Sequence, residues 1–368
     1  MAGLYIHIPF CSSRCVYCGF YSTTGLALRE QYVDALCKEM ENRRSADPIS
    51  TIYLGGGTPS QLTIEQLQRI FLYIYKVYDV TDGAEVTIEV NPDDVTVEFV
   101  AALQQLPVNR ISMGAQTFDD ERLRFLRRRH TAQQVNQAVA PLPQAGFQNI
   151  SIDLMYGFPN QTLDAWKTDI DKALQLHVEH ISTYCLMYEE GTPLYRLLEQ
   201  GKVAEIDEEL ERQMYFTLIN SLESAGYEHY EISNFARPGF RSRHNSSYWK
   251  GIPYIGIGAA AHSFDIRTRS WNIADIQQYI AAMEQGERSF ESEMLDEDTR
   301  YNDAVTVALR TREGLDLNTL TDKLRTYCLT NAQRHLQAGL LKLTDNKLSL
   351  TKEGLFVSDM IMSDLMLV

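Results

Sequence analysis

A rhythm restricts this chain more than any single residue does. Over the first two hundred residues, short β-branched runs alternate six times with stretches of 3.6-residue apolar periodicity. Strands are predicted at Leu4–Pro9, Thr51–Leu54, Glu85–Val90, Arg110–Gly114, Asn149–Tyr156 and His180–Tyr188, with helices such as Leu28–Arg43, Thr63–Val77 and Thr162–Leu176 between them. Strands that alternate with helices argue for a parallel sheet with the helices outside it. Six such units in series favour an α/β fold of the partial (β/α)6, TIM-like kind over a two-layer sandwich.

From about Glu208 the rhythm changes. A helix over Glu208–Ala225 leads to an extended Tyr227–Phe235 and then to a loop rich in Arg, Ser, Asn and Gly. After Asp296, helices are followed by two alternating runs that meet at Asp345-Asn346, a hairpin signature. Helix, helix, hairpin is a winged-helix pattern. The expected division is a barrel over 1–235, a connecting segment over 236–295, and a mostly helical, winged-helix-like domain over 296–368.

A winged helix often means DNA, but charge argues otherwise here. The chain carries 49 acidic and 34 basic side chains, a formal net charge of −15. That balance repels a phosphate backbone, so no nucleic-acid partner is expected. The one basic cluster is Arg122–Arg129, with five arginines. The N-terminus lacks the basic region of a signal peptide, and no run of about eighteen apolar residues reads as transmembrane. Six cysteines, three of them within eight residues, do not form a secreted disulfide framework, so the expected compartment is the reducing cytoplasm.

Those three, Cys11, Cys15 and Cys18, follow the first predicted strand directly. Three thiolates on one short loop converge on a single metal centre, and soft sulfur suits iron–sulfur clusters or zinc. Zinc wants a fourth ligand, and no second Cys or His pair follows at finger-like spacing. A thioredoxin-like reading of Cys15 and Cys18 leaves Cys11 unexplained. Three ligands on a four-iron cluster leave one iron open. Further candidates fall towards the C-terminal ends of the predicted strands, where the working residues of a (β/α) barrel gather. These are Gly55-Gly56-Gly57-Thr58-Pro59, Glu89, Gln116, Asp153 and Met187, with Arg128 on the arginine segment. They supply acceptors, an amide, a cation and backbone that a ligand approaches closely.

C-x-x-x-C-x-aromatic-C after a strand resembles the radical S-adenosylmethionine signature. Over nearly its whole length the chain is similar to the oxygen-independent coproporphyrinogen III oxidase family, which includes related heme chaperones. The resemblance implies a radical S-adenosylmethionine barrel with a [4Fe-4S] cluster on Cys11, Cys15 and Cys18. It also implies S-adenosyl-L-methionine near Tyr5, Tyr17, Gly56, Gly57, Thr58 and Glu89. Gln116, Arg128 and Asp153 match positions that hold a second S-adenosylmethionine in the oxidases, with Met187 beside them. A flavodoxin or ferredoxin is the implied electron donor.

Two branches share this pattern. The oxidases carry a fourth cysteine two residues beyond the third, and an N-terminal extension; here that position is Phe20, and ten residues precede Cys11. The chaperones carry H-N-x-x-Y-W, which His244-Asn245-Ser246-Ser247-Tyr248-Trp249 matches in full. The chaperone reading therefore leads: heme is bound, with His244 as its expected axial ligand, and delivered to recipient hemoproteins. Porphyrinogen decarboxylation is the alternative, and whether the chain is an enzyme stays open at this point. A dinucleotide reading of Gly256-Ile257-Gly258-Ala259-Ala260-Ala261 fails on context, since no opening βαβ unit surrounds it. Cys37, Cys185 and Cys328 read as core or unpartnered.

Overall fold

The computed structural model describes residues 1–367. Six parallel strands lie side by side in chain order: β1 Ala2–Ile8, β2 Ile49–Gly56, β3 Val80–Val90, β4 Arg110–Gln116, β5 Ile150–Tyr156 and β6 His180–Cys185. The sixth is shorter than its sequence suggests: its last ladder bond runs from the Leu186 amide to the Tyr156 carbonyl (2.8 Å), and the chain then leaves the sheet. The segment expected as one extended run becomes two short strands, β7 Glu228–Glu231 and β8 Asn234–Ala236, with β8 antiparallel to β6.

Residues 236–295 do more than connect. Strand β9 (Tyr254–Ile257) pairs in parallel with β1, and β10 (His262–Phe264), β11 (Thr268–Asn272) and β12 (Phe290–Met294) continue the sheet. The result is one sheet of twelve strands, not six strands and a linker. A buried carboxylate, Glu39, holds this extension to the helix Arg29–Asn42. It accepts from the Gly258 amide (2.8 Å), Asn272 Nδ2 (2.8 Å) and the Tyr279 hydroxyl (2.7 Å), and pairs with Arg43 (3.0 Å).

Period-two alternation gives each barrel strand two unlike faces. Outward residues such as Leu4, Ile6, Ile52, Leu54, Ile88, Ile111 and Ile152 are fully or nearly fully buried against the helices. The alternate positions are polar: Tyr5 and His7 on β1, Thr51 and Tyr53 on β2, Glu85, Thr87 and Glu89 on β3, Arg110 and Ser112 on β4, Asp153 on β5, and His180 and Ser182 on β6. Closed (β/α)8 barrels fill their interior with bulky branched side chains. Here the interior face is hydrophilic: it opens as a chamber at the C-terminal ends of the strands and is packed below, where Thr51, Glu85, Thr87, Arg110 and His180 are buried.

Residues 301–365 carry their own apolar core, built from Tyr301, Val305, Leu309, Leu324, Leu348, Ile361 and neighbours. Strands β13 (Leu315–Asp316), β14 (Leu341–Thr344) and β15 (Lys347–Leu350) form a small sheet beside the helices Glu297–Leu309, Asp322–Gln337 and Ser358–Leu365. The hairpin turn falls on Asp345 and Asn346, both at positive φ (51° and 59°), the two-residue geometry that side chains of this type tolerate. Beyond the hairpin the chain forms two short helices, Lys352–Leu355 and Ser358–Leu365. This unit is tied to the barrel by Arg310, which pairs with buried Glu231 at 2.7 Å and whose carbonyl accepts from the Ile232 amide.

Candidate cofactor site at the barrel mouth

The cysteine loop leaves β1 and is closed at its base by two backbone bonds, Cys11 N to Thr23 O (2.9 Å) and Thr23 N to Pro9 O (2.7 Å). Its middle is pinned by Val16. The Val16 amide donates to Leu126 O (3.2 Å), its carbonyl accepts from Leu194 N (2.9 Å), and its side chain is buried with Leu126, Met155, Phe158, Leu186 and Leu194. Pinning Val16 inward turns Cys11, Cys15 and Cys18 towards one cavity at the C-terminal ends of the strands.

That cavity is also lined by Tyr17, Gly56, Gly57, Thr58, Glu89, Gln116, Arg128 and Asp153. Eleven of the fourteen residues singled out from sequence thus meet at one place. Glycine is required where the β2 loop crosses β1: a Cβ on Gly57 would lie 2.7 Å from Pro9 C, and one on Gly56, at φ 110°, 2.4 Å from the His7 ring. Gly114 is required for another reason, since a Cβ there would sit 2.9 Å from Arg128 Nη2. Gln116 holds φ 66°, unusual for its type, at a register shift between β4 and β5. Strain of about 1–3 kcal/mol is the usual cost of such a conformation, and here it coincides with a side chain that lines the cavity.

Arg128 reaches the Gly114 carbonyl (2.7 Å), Asn91 Oδ1 (2.8 Å) and Cys15 Sγ (3.7 Å), while its Nε has no protein partner. Glu89 accepts from the Tyr53 hydroxyl (2.6 Å) and the Gly56 amide (3.1 Å). Burial pushes the Glu89 carboxyl up to about 7, with the Tyr53 bond opposing and nearby Asp153 adding to the rise. Asp153 is likewise pushed up by burial, to about 6, against the pull of Ser182 and Arg110. Burial raises the Cys11 and Cys18 thiols. Asn91, which also donates to Thr58 Oγ1 at 3.3 Å, belongs to the site and was missed in the sequence. Its signal was there, two residues beyond Glu89 at a strand end.

All three loop cysteines are free and partly exposed. Among the described residues no three Cys, His, Asp or Glu side chains are drawn to metal-bonding spacing. The donor set still fits an iron–sulfur cluster: three soft ligands face one cavity, and an unsaturated guanidinium stands ready to offset thiolate charge.

The sequence matches the model of the radical SAM superfamily over residues 5–173 and that of the HemN C-terminal domain over residues 295–357. It is 36% identical to a heme chaperone HemW of Lactococcus lactis over 323 residues, 87% of this chain and 84% of that one. It is 32% identical to a Mycobacterium tuberculosis HemW over 372 residues, 99% of this chain and 94% of that one. The chain belongs to the HemW family. HemW of Bacillus subtilis is 39% identical over 76% of the chain and 75% of its own length. The fold matches coproporphyrinogen III oxidase (HemN) from Escherichia coli with a TM-score of 0.85 over 99% of this chain and 89% of that one. At 23% identity that likeness speaks for the fold alone.

Three expected residues of this HemW-family chain lie elsewhere. Met187 is 61% exposed on the loop after β6 and does not line the cavity. Tyr5 points into the chamber below it, its hydroxyl on His7 Nδ1 (2.9 Å). His244 departs furthest from expectation. It is 1% exposed, and both ring nitrogens are engaged, Nδ1 with Thr51 Oγ1 (2.9 Å) and Nε2 with the Tyr248 hydroxyl (2.8 Å). The HNSSYW motif forms the helix Arg243–Trp249, whose first amides, at Arg243 and His244, donate to the Glu85 carboxylate at 3.0 and 2.9 Å. The helix closes the chamber at the N-terminal ends of the strands, opposite the cysteines. An axial ligand needs a free ring nitrogen facing open space, and in this conformation His244 has neither.

Proposed function

We propose that this protein is a heme chaperone, binding heme and passing it to recipient hemoproteins. The observation that carries the reading is 32–39% identity to HemW proteins along most of both chains. Phe20, at the place of the oxidases' fourth cysteine, supports it. Phe20 at the cavity mouth and Met187 on the loop after β6 each leave apolar surface exposed (73% and 61%), surface that a flat apolar ligand can cover.

On this reading Cys11, Cys15 and Cys18 hold a [4Fe-4S] cluster whose open iron binds S-adenosyl-L-methionine. When bound, the cluster supplies single electrons to that cofactor. Gly56, Gly57, Thr58 and Glu89 take its amino-acid end; Gln116, Arg128 and Asp153 take polar groups deeper in the cavity; the Tyr17 ring flanks it. Glu89, poised near neutrality, pairs with an ammonium in its ionised form. A flavodoxin or ferredoxin is the proposed electron donor, and the cytoplasm, where thiols stay reduced, the proposed compartment.

The test is an anaerobic heme titration of the cluster-reconstituted protein, followed by absorption. A Soret band that saturates at defined stoichiometry, and that weakens in Phe20→Asp/Met187→Asp, is expected. Binding no better than to a control protein would overturn the chaperone reading, and carbon dioxide release from coproporphyrinogen III would then become the next measurement.

A further inference from the structure

We propose that His244 is a positioning residue for Glu89, acting through Tyr53, and that the HNSSYW helix is the fitted floor of the cofactor chamber. The His244 ring lies almost flat on the Tyr53 ring, with centroids 5.0 Å apart and planes at 27°. Tyr5 stacks on Tyr53 as well, at 6.2 Å and 28°. Tyr5 and His244 also face each other, with centroids 6.5 Å apart, so the three rings pack as one cluster against which Tyr53 rests; its hydroxyl donates to Glu89 Oε1 at 2.6 Å.

The pair is built closely enough to exclude a methyl group. A Cβ on Gly55 would lie 2.7 Å from Tyr53 Cε1 and 3.0 Å from the Glu89 carboxyl carbon. The other end is equally determined. Thr51 and Tyr248 fix both His244 nitrogens, and Glu85 accepts from the first two amides of its helix. A continuous set of contacts therefore runs from the N-terminal ends of the strands, through His244 and Tyr53, to a carboxylate at the mouth. Burial and the Arg110 guanidinium hold the His244 imidazole down at about 3, so it stays neutral and acts by shape and hydrogen bonding, not by charge.

Burial favours the protonated form of a carboxyl. The Tyr53 hydroxyl is the donor that favours the anion and fixes which oxygen faces the cavity. Losing the direction of that bond costs Glu89 both its orientation and its charge. This inference rests on the reading of the cavity as the S-adenosylmethionine site.

The experiment uses Tyr53→Phe, His244→Ala, His244→Phe and the double variant Tyr53→Phe/His244→Ala. S-adenosylmethionine affinity is measured by anaerobic calorimetry on cluster-reconstituted protein. Glu89 titration is followed by isotope-edited infrared spectroscopy with no cofactor added. Tyr53→Phe and His244→Ala are each expected to weaken binding about tenfold, as loss of one hydrogen bond to a charged group does. The double variant should be no weaker than either single one. His244→Phe, which keeps a ring over Tyr53, should recover most of the affinity, and Glu89 should titrate at higher pH in Tyr53→Phe and in His244→Ala.

Additive losses, unchanged affinity in His244→Ala, or a Glu89 that titrates lower there because water floods the gap, each overturn the proposal. A Soret band that disappears in His244→Ala while S-adenosylmethionine still binds also overturns it and returns His244 to heme. Should His244→Ala not fold, Tyr53→Phe removes a single oxygen, and wild-type binding and titration in that variant are sufficient to reject the idea. Failure of the wild-type protein to bind S-adenosylmethionine refutes the reading of the cavity, while the infrared titration still decides the coupling.

Discussion

Glu89 and Asp153 keep protons in the folded chain that the unfolded chain has already released. Their ordinary values, 4.5 and 3.8, rise to about 7 and about 6. A carboxyl shifted upward withdraws stability as pH climbs from its unfolded value to its folded one. Glu89→Gln should therefore raise the apo protein's thermal midpoint at pH 8, by the equivalent of about 1–3 kcal/mol, and change little at pH 4. Melts at the two pH values decide it, and a variant less stable at pH 8 would refute the burial argument. At this scale the sequence was legible where residues end strands, because a parallel barrel brings every C-terminal strand end to one rim. It was not legible for His244. A short polar motif looks the same whether it plugs a chamber or offers a ligand, and seven helical residues are too few for periodicity to tell a buried face from an open one.

Among the elements, the extension β9–β12 depends on one carboxylate. Glu39 is fully buried and accepts from groups on both sides of the join. Glu39→Ala takes the acceptor from those donors and leaves Arg43 without a carboxylate, on the Gly256 carbonyl and Ser263 hydroxyl alone; a loss of about 3–5 kcal/mol is expected. Denaturant unfolding gives the size. Hydrogen exchange should show β9–β12 opening first while β2–β5 stay protected; uniform loss of protection across the sheet would count against a local join. This extension was read as a connecting segment for a physical reason. Strands of three to five residues show too few alternations to stand out, and Glu39 sits in a helix where an acid ordinarily faces water. The six barrel strands announced themselves because a helix separates each from the next.

For the whole molecule, buried neutral histidines set the acid limit. Burial holds His7 and His130 down at about 4 and His244 at about 3, and pushes His180 well below its ordinary value. The unfolded chain takes up these protons below about 6.5 and the fold does not, so stability is lost as pH falls from there. The two carboxyls raised furthest, Glu89 and Asp153, work the other way in the same range, while His229 and His262, also held down by burial, add to the histidine side. The apo protein's thermal midpoint should decline from pH 6.5 to 5, and His244→Gln should flatten that decline. A midpoint level across this range would show that the histidines are hydrated. The charge of −15 adds nothing to the fold.

The position of the floor has a consequence for how the protein is made. Cys11 leaves the ribosome well before the helix that closes the chamber, Arg243–Trp249, and the strand that flanks β1, Tyr254–Ile257, which follow more than two hundred residues later. At about 5–20 residues per second, that interval is roughly ten to fifty seconds of translation. Throughout it the nascent chain presents three thiols on a vessel without a base. On the proposed reading, a cluster would be kept only once residues 243–257 have been made, and a product truncated before residue 243 would form the cysteine loop without a closed chamber beneath it.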